Sequence, residues 1–94
     1  MKDNSQQDDR TARGAITLPA TVRMVGSAYR PTIQTIEEAL RFIDRELPIE
    51  LRQRSRWTFA RELLLVADRT GKKRDIAHAF RQLKQALNND RMLA

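Results

Sequence analysis

The stretch from Arg56 to Gly71 constrains the fold more than any other, because it holds the only tryptophan and the densest run of apolar residues. At about 100° per residue, its apolar side chains cover roughly half of a helix surface. They are Trp57, Phe59, Ala60, Leu63, Leu64, Val66 and Ala67. One packed neighbour cannot bury so wide a stripe. The sequence therefore predicts a central helix that contacts other elements on two sides.

The composition limits the chain to one small domain. Its 94 residues are 40% hydrophobic and 32% charged and include no cysteine, which allows a single modest core. Without cysteine there is no disulfide framework, thiol nucleophile or thiolate metal site, so we expect a cytoplasmic protein. Neither a signal-peptide core nor the roughly 18 uncharged apolar residues of a membrane span is present, and we expect a soluble protein with no membrane partner.

The first third of the chain predicts a polar tail followed by a β-hairpin. Residues 1–14 lack apolar periodicity, which is typical of a disordered tail. From Ala15 to Val25 apolar and polar residues alternate as in a half-buried strand, interrupted by Pro19, which has no N–H to donate. A turn at Gly26-Ser27 and a second strand from Tyr29 to Ile33 complete the hairpin. The predicted inward side carries Ile16, Leu18, Ala20, Val22 and Met24.

Two helices follow the hairpin. Thr35 with Glu38 forms a capping box that begins a helix, and Pro48 ends this helix at about Leu47. Residues 49–54 are predicted to be a basic loop with Ile49 and Leu51 turned inward. Ser55 is the predicted N-cap of the central helix, and Gly71 is placed to end it in the left-handed conformation.

A third helix and a short terminus complete the predicted fold. Apolar residues from Ile76 to Leu87 recur at helical spacing, and residues 91–94 are expected to fray. The fold class is therefore α+β, with an N-terminal hairpin over Ile16–Ile33 packed on three helices at about 35–47, 55–70 and 74–88. We expect one domain over residues 15–90. The predicted core is Val22, Met24, Leu40, Ile43, Trp57, Ala60, Leu64, Phe80 and Leu83.

The order of these signals resembles the bacterial domain of unknown function 982 family, a group of small uncharacterised proteins. The residues that carry the resemblance are Pro19 with Val22, Glu38-Ala39-Leu40, Leu47-Pro48, Trp57 with Ala60, Gly71 and Ala79-Phe80. It covers about Ile16 to Ala86. The chain departs from the family pattern at Leu47, Ala20 and Ala77, where the family has an aromatic residue, a valine and an arginine. The resemblance implies an α+β fold and no established activity.

Catalytic residues are scarce in the sequence. His78, the only histidine, lies on the polar side of the last helix between Arg74 and Arg81, which is typical of a solvated surface residue. Glu37 and Glu38 are adjacent, so they diverge by about 100° on a helix and cannot form a convergent pair. With one histidine, no cysteine and no glycine-rich phosphate loop, we predict no enzyme activity, metal site or cofactor.

The positive charge of the second half is the sequence feature that most strongly indicates a function. Residues 1–50 contain seven Lys or Arg against eight Asp or Glu, whereas residues 51–94 contain eleven against four. Two clusters in the second half flank helix N-termini, where backbone donors favour anions. The first basic cluster is Arg52, Arg54 and Arg56, and the second is Lys72, Lys73 and Arg74. We expect both clusters to converge on one face if a connecting loop folds back. The predicted anion or nucleic-acid contacts are Arg52, Arg54, Arg56, Lys72, Lys73, Arg74 and Arg81.

The sequence leaves three classes of function open. The favoured one is a non-catalytic adaptor or regulatory module that binds another protein, because the predicted hairpin has edges to share. A homodimer is one form of such binding. The alternative is a nucleic-acid-binding module, including a helix-turn-helix around Ala67 and Gly71 with Arg74, His78, Arg81 and Gln85 facing the groove. An enzyme has no positive support in the sequence.

Overall fold

The structure, a computed structural model, describes residues 16–25 and 32–94 and confirms the α+β class. The predicted tail, the Gly26-Ser27 turn and the start of the second strand lie outside the described residues. The strands are β1 (Thr17–Arg23) and β2 (Thr32–Thr35). The α-helices are α1 (Ile36–Arg41), α2 (Ile49–Arg52), α3 (Ser55–Thr70) and α4 (Lys73–Asn89), and a π-helical turn (Phe42–Glu46) extends α1.

The two strands pair antiparallel with an irregularity around Pro19. Val22 pairs with Ile33, and at the other end of the sheet Thr17 pairs with Thr35, so β1 is longer than β2 between these pairs. Pro19 lacks a backbone N–H, and it lies within the stretch where the regular pairing is interrupted. Ala20, predicted to point inward, is exposed, because the strand bulges there.

The capping box at Thr35 forms as predicted. The Thr35 hydroxyl accepts a hydrogen bond from the Glu38 N–H at 3.0 Å, and the Glu38 carboxylate accepts one from the Gln34 N–H at 2.7 Å. The helix then widens into the π-helical turn, which closes with a bond from the Leu47 N–H to the Phe42 carbonyl. Adjacent Phe42 and Ile43 are both buried by this wider turn, while Leu40 is only partly buried.

The segment before α3 differs from the predicted loop. Residues 49–52 form α2, one turn that begins after Pro48, whose carbonyl accepts from the Leu51 and Arg52 N–H groups. Ile49 was predicted to turn inward, yet it is 56% exposed. Ser55 is not the N-cap of α3; that position is Arg54, which makes no side-chain capping bond. A one-turn helix ending at residue 52 leaves Arg54 in the extended conformation that precedes a helix.

The central helix contacts neighbours on two sides, as its wide stripe predicts. It packs against both α4 and α1, and the Trp57 ring lies 6.2 Å from the Phe42 ring, centroid to centroid. Gly71 ends α3 with φ 66° and donates its N–H to the Ala67 carbonyl at 2.8 Å. One member of the stripe was assigned wrongly: Phe59 is 48% exposed, because it lies at the edge of an arc whose centre is buried. Phe80 is only partly buried. The remaining predicted core residues are buried: Val22, Met24, Ile43, Trp57, Ala60, Leu64 and Leu83.

The last residues are bound to β1 rather than frayed. Arg91 takes a left-handed conformation (φ 59°), which turns the chain back after α4. The Val25 N–H donates to the Met92 carbonyl and the Ala94 N–H to the Arg23 carbonyl, each at 2.9 Å. These bonds flank an antiparallel bridge between Met24 and Leu93. Burial of Met92 and Leu93 against the core supports this pairing.

Candidate functional site

The first basic cluster is largely engaged within the fold. Arg56 donates to the Asp90 carboxylate over 3.3 and 3.5 Å, and Trp57 donates its Nε1–H to the same carboxylate at 2.5 Å. Arg52 donates to the Leu47 carbonyl at 3.0 Å, at the end of the π-helical turn. Arg54 is exposed at the N-cap of α3. Two of the three arginines therefore stabilise helix ends, and Arg54 is the exposed member of this cluster.

Asp90 is the acidic partner of this cluster, and its side chain is about 10% exposed. Burial alone would raise the pKa of Asp90, because it favours the neutral carboxyl group. The hydrogen bonds from Trp57 and Arg56, together with the charges of Arg56 and Arg54, outweigh burial and lower the pKa below its ordinary value of 3.8. The carboxylate is therefore charged at neutral pH and holds the start of α3 to the end of α4.

The second basic cluster is open to solvent. Lys72 is the N-cap of α4, and Lys73 and Arg74 begin the helix; all three are exposed. The acid of this first turn, Asp75, accepts a hydrogen bond from the Thr70 hydroxyl at 2.6 Å. Arg81, two turns further along α4, is also exposed. All three cations of this cluster are therefore available to a ligand.

The two clusters form separate basic poles rather than the predicted single face. They lie at opposite ends of α3, whose 16 residues span about 24 Å. The helix-turn-helix interpretation is also wrong. Arg56 in the first turn of α3 contacts Asp90 after the end of α4, so the helices run antiparallel. In a helix-turn-helix the two helices cross at roughly right angles, and the start of α3 and the end of α4 would then lie about 35 Å apart.

A predominantly apolar groove of about 580 Å³ adjoins the open basic cluster. One wall is the start of β1, and the other is the joint at Gly71 with the first turn of α4. Lys73 stands on its rim, exposed, while Ile76 and Ala77 are half-buried. The groove is lined by Thr17, Pro19, Gly71, Lys73, Ile76 and Ala77. A groove between a strand and a helix, with the cation of Lys73 at its rim, is suited to bind an apolar group that lies next to a negative charge.

The sequence points to this groove only indirectly. Ile76 was assigned to the core stripe of the last helix and Pro19 to a strand interruption, so neither was predicted to line a site. The proline that bends β1 and the glycine that ends α3 are the two signals that mark its walls. The two walls of the groove lie next to each other because β1 packs on α4. No local sequence pattern predicts that packing.

His78 lies apart from the groove on the exposed side of α4. Its ring faces the Phe59 ring edge-on, with 6.3 Å between centroids. Within the described residues, no three His, Asp or Glu side chains lie close enough together to hold a metal ion. Nor does any helix in this part of the chain combine the length and apolar character needed to cross a membrane.

Comparison with protein-family models, with curated proteins and with solved structures found no match to this chain. The resemblance to the domain of unknown function 982 family therefore stays a prediction from the residues quoted above.

Proposed function

We propose that this chain is a small, non-catalytic adaptor or regulatory module that acts by binding another protein. The observation that supports this most is the apolar groove between β1 and the Gly71 joint. Concave, largely apolar surfaces with a few polar groups are common binding sites. The proposal requires no cofactor, and the lack of cysteine favours a reducing cytoplasm as the compartment.

The groove supports the adaptor function better than the hairpin edges do, although the sequence-based prediction of this function rests on those edges. On β2, the Gln34 N–H is bound by the Glu38 carboxylate. On β1, residues 23–25 pair with the C-terminal segment. At these positions the chain itself occupies the edge, which leaves less of it for a partner strand.

The alternative, a nucleic-acid-binding module, has weaker support. Phosphate binding by several cations together requires a contiguous basic surface. Arg52 and Arg56 are engaged within the fold, and about 24 Å of helix separates this pole from the Lys72–Arg74 cluster. Only that cluster and Arg81 remain as exposed candidates on α4.

Site-directed photo-crosslinking tests the proposed function. A photo-reactive residue replaces Ala77 in the groove or, as a control, exposed Gln53 before α3, and the products from native cells are identified by mass spectrometry. We expect one defined protein, or a second copy of the chain, to be cross-linked from residue 77 and not from residue 53. Equal labelling from both positions, or nucleic acid as the main product, would contradict the proposal.

A further inference from the structure

Three surface features could bind a partner. A cleft of about 250 Å³ lies between β1 and α4 beside Lys84 and Leu93. On α3, Phe59 and Leu65 are exposed apolar side chains, but scattered apolar residues are ordinary on protein surfaces. The groove at the Gly71 joint is the largest of these, and it alone combines an apolar wall with the open basic cluster.

We propose that this groove binds an acidic segment of a partner protein, anchored by one bulky apolar side chain. This inference rests on the proposed function and specifies its partner. The half-buried Ile76 and Ala77 form an apolar wall, which an aliphatic or aromatic side chain would cover with a gain from the hydrophobic effect. The volume of about 580 Å³ admits such a side chain together with its backbone.

The charge of the rim selects an acidic partner. Residues 72–75 carry three cations and one carboxylate, and the carboxylate, Asp75, is bonded to the Thr70 hydroxyl. The positive end of the α4 dipole adds to the field of these cations, since no side-chain cap occupies the N-terminus of the helix. Acidic residues on either side of the apolar anchor therefore meet Lys72, Lys73 or Arg74. A basic segment meets like charge and is rejected.

Short labelled peptides provide the test, with binding measured by fluorescence anisotropy at physiological ionic strength. The first peptide has a central phenylalanine flanked by Asp and Glu. A second replaces the phenylalanine with alanine, a third replaces the acids with lysine, and a fourth replaces them with serine. We expect the first peptide to bind at least about tenfold more tightly than the other three, since anchor and charge both contribute.

Two variants and one control localise the binding. Lys73→Glu should weaken the acidic peptide about tenfold and strengthen the lysine peptide. Ile76→Ala should weaken every peptide that contains phenylalanine. Lys84→Glu is the matched control, because Lys84 is an exposed lysine on the same helix, about 16 Å along its axis and beyond the screening length of about 8 Å. Thermal melts show whether each variant is folded. If Ile76→Ala unfolds, Lys73→Glu alone still tests the location of binding, because it alters only an exposed side chain.

The possible outcomes separate this inference from the proposed function. Equal binding of the serine peptide would overturn the acidic preference, and no binding of the acidic peptide would overturn the inference. A nonspecific DNA duplex is added as a competitor, at a total charge equal to that of the peptide. If the duplex abolishes peptide binding, the cations bind polyanions in general and do not select an acidic segment. In each case a single protein cross-linked from residue 77 would still support the adaptor function, with a partner of different chemistry.

Discussion

At the scale of single residues, Asp90 holds the start of α3 against the end of α4 with a charge that is mostly withdrawn from water. It accepts hydrogen bonds from Trp57 and Arg56, which compensate for the lost hydration. Trp57 is fully buried, so its indole N–H needs an acceptor inside the protein. One carboxylate therefore satisfies a buried donor and closes the open end of the helix pair.

This arrangement predicts a loss of stability in acid. The pKa of Asp90 is lower in the folded chain than its ordinary value of 3.8, so the stabilisation is fully present above about pH 4 and declines as the pH falls through the folded pKa. Urea unfolding between neutral pH and pH 3 should show this decline. Asp90→Asn should be less stable at neutral pH and should flatten the pH dependence. Asp44→Asn, which alters the exposed pair with Arg61, is the control, and an equal flattening there would contradict the role of Asp90.

The sequence could place Trp57 in the core but could not pair it with Asp90. The burial of Trp57 follows from a helical stripe, which is a local and periodic signal. Asp90 lies just beyond the last predicted helix, at about 74–88, where the sequence predicts no contact. Its partners lie 33 and 34 residues away, and an ion pair between two particular side chains leaves no periodic trace. The same limit applies to the groove residues.

At the scale of elements, helix starts show how local chemistry decides a boundary. Thr35 caps α1 with its hydroxyl, whereas Ser55 lies one residue inside α3 and its carbonyl accepts from the Thr58 hydroxyl. Both residues were predicted to be caps from the same residue preference. They differ because residues 49–52 form a helical turn, which moves the extended position to Arg54. The π-helical turn was likewise not predictable, since its apolar spacing resembles that of an α-helix.

Two alanine substitutions distinguish these helix starts. Thr35→Ala should reduce the free energy of unfolding by about 1 kcal/mol, because the Glu38 N–H loses its acceptor. Ser55→Ala should change it by less than about 0.5 kcal/mol, as an ordinary surface substitution does. Chemical denaturation of the two variants measures both values. Equal losses would show that Ser55 caps α3 in solution.

At the scale of the whole molecule, the basic residues divide into two groups with different roles. Arg52 and Arg56, at the pole near Asp90, stabilise the fold, and Lys72, Lys73 and Arg74, near Gly71, are exposed and free to bind. The net charge of +6 conceals this division. Composition identified the basic half correctly, but it could not separate the two groups, because the separation arises from the antiparallel packing of α3 and α4.

Charge reversal at one residue of each pole tests this division. Arg56 and Lys73 both lie in the first turn of a helix, so a new glutamate meets a similar helix dipole in each. Arg56→Glu should lower the free energy of unfolding by at least about 1 kcal/mol, since it loses the Asp90 bond and adds repulsion. Lys73→Glu should change it by less than about 0.5 kcal/mol. Similar losses in thermal or urea unfolding would contradict the separate roles.

The bridge between Met24 and Leu93 also determines when β1 can complete its pairing during synthesis. The helix pair contains mostly local contacts and can form as soon as α4 emerges from the ribosome. One edge of β1 cannot acquire its partner until residues 92–94 have left the exit tunnel. A nascent chain stalled before this point exposes the 23–25 edge to strands of neighbouring chains, so this pairing also removes an aggregation risk.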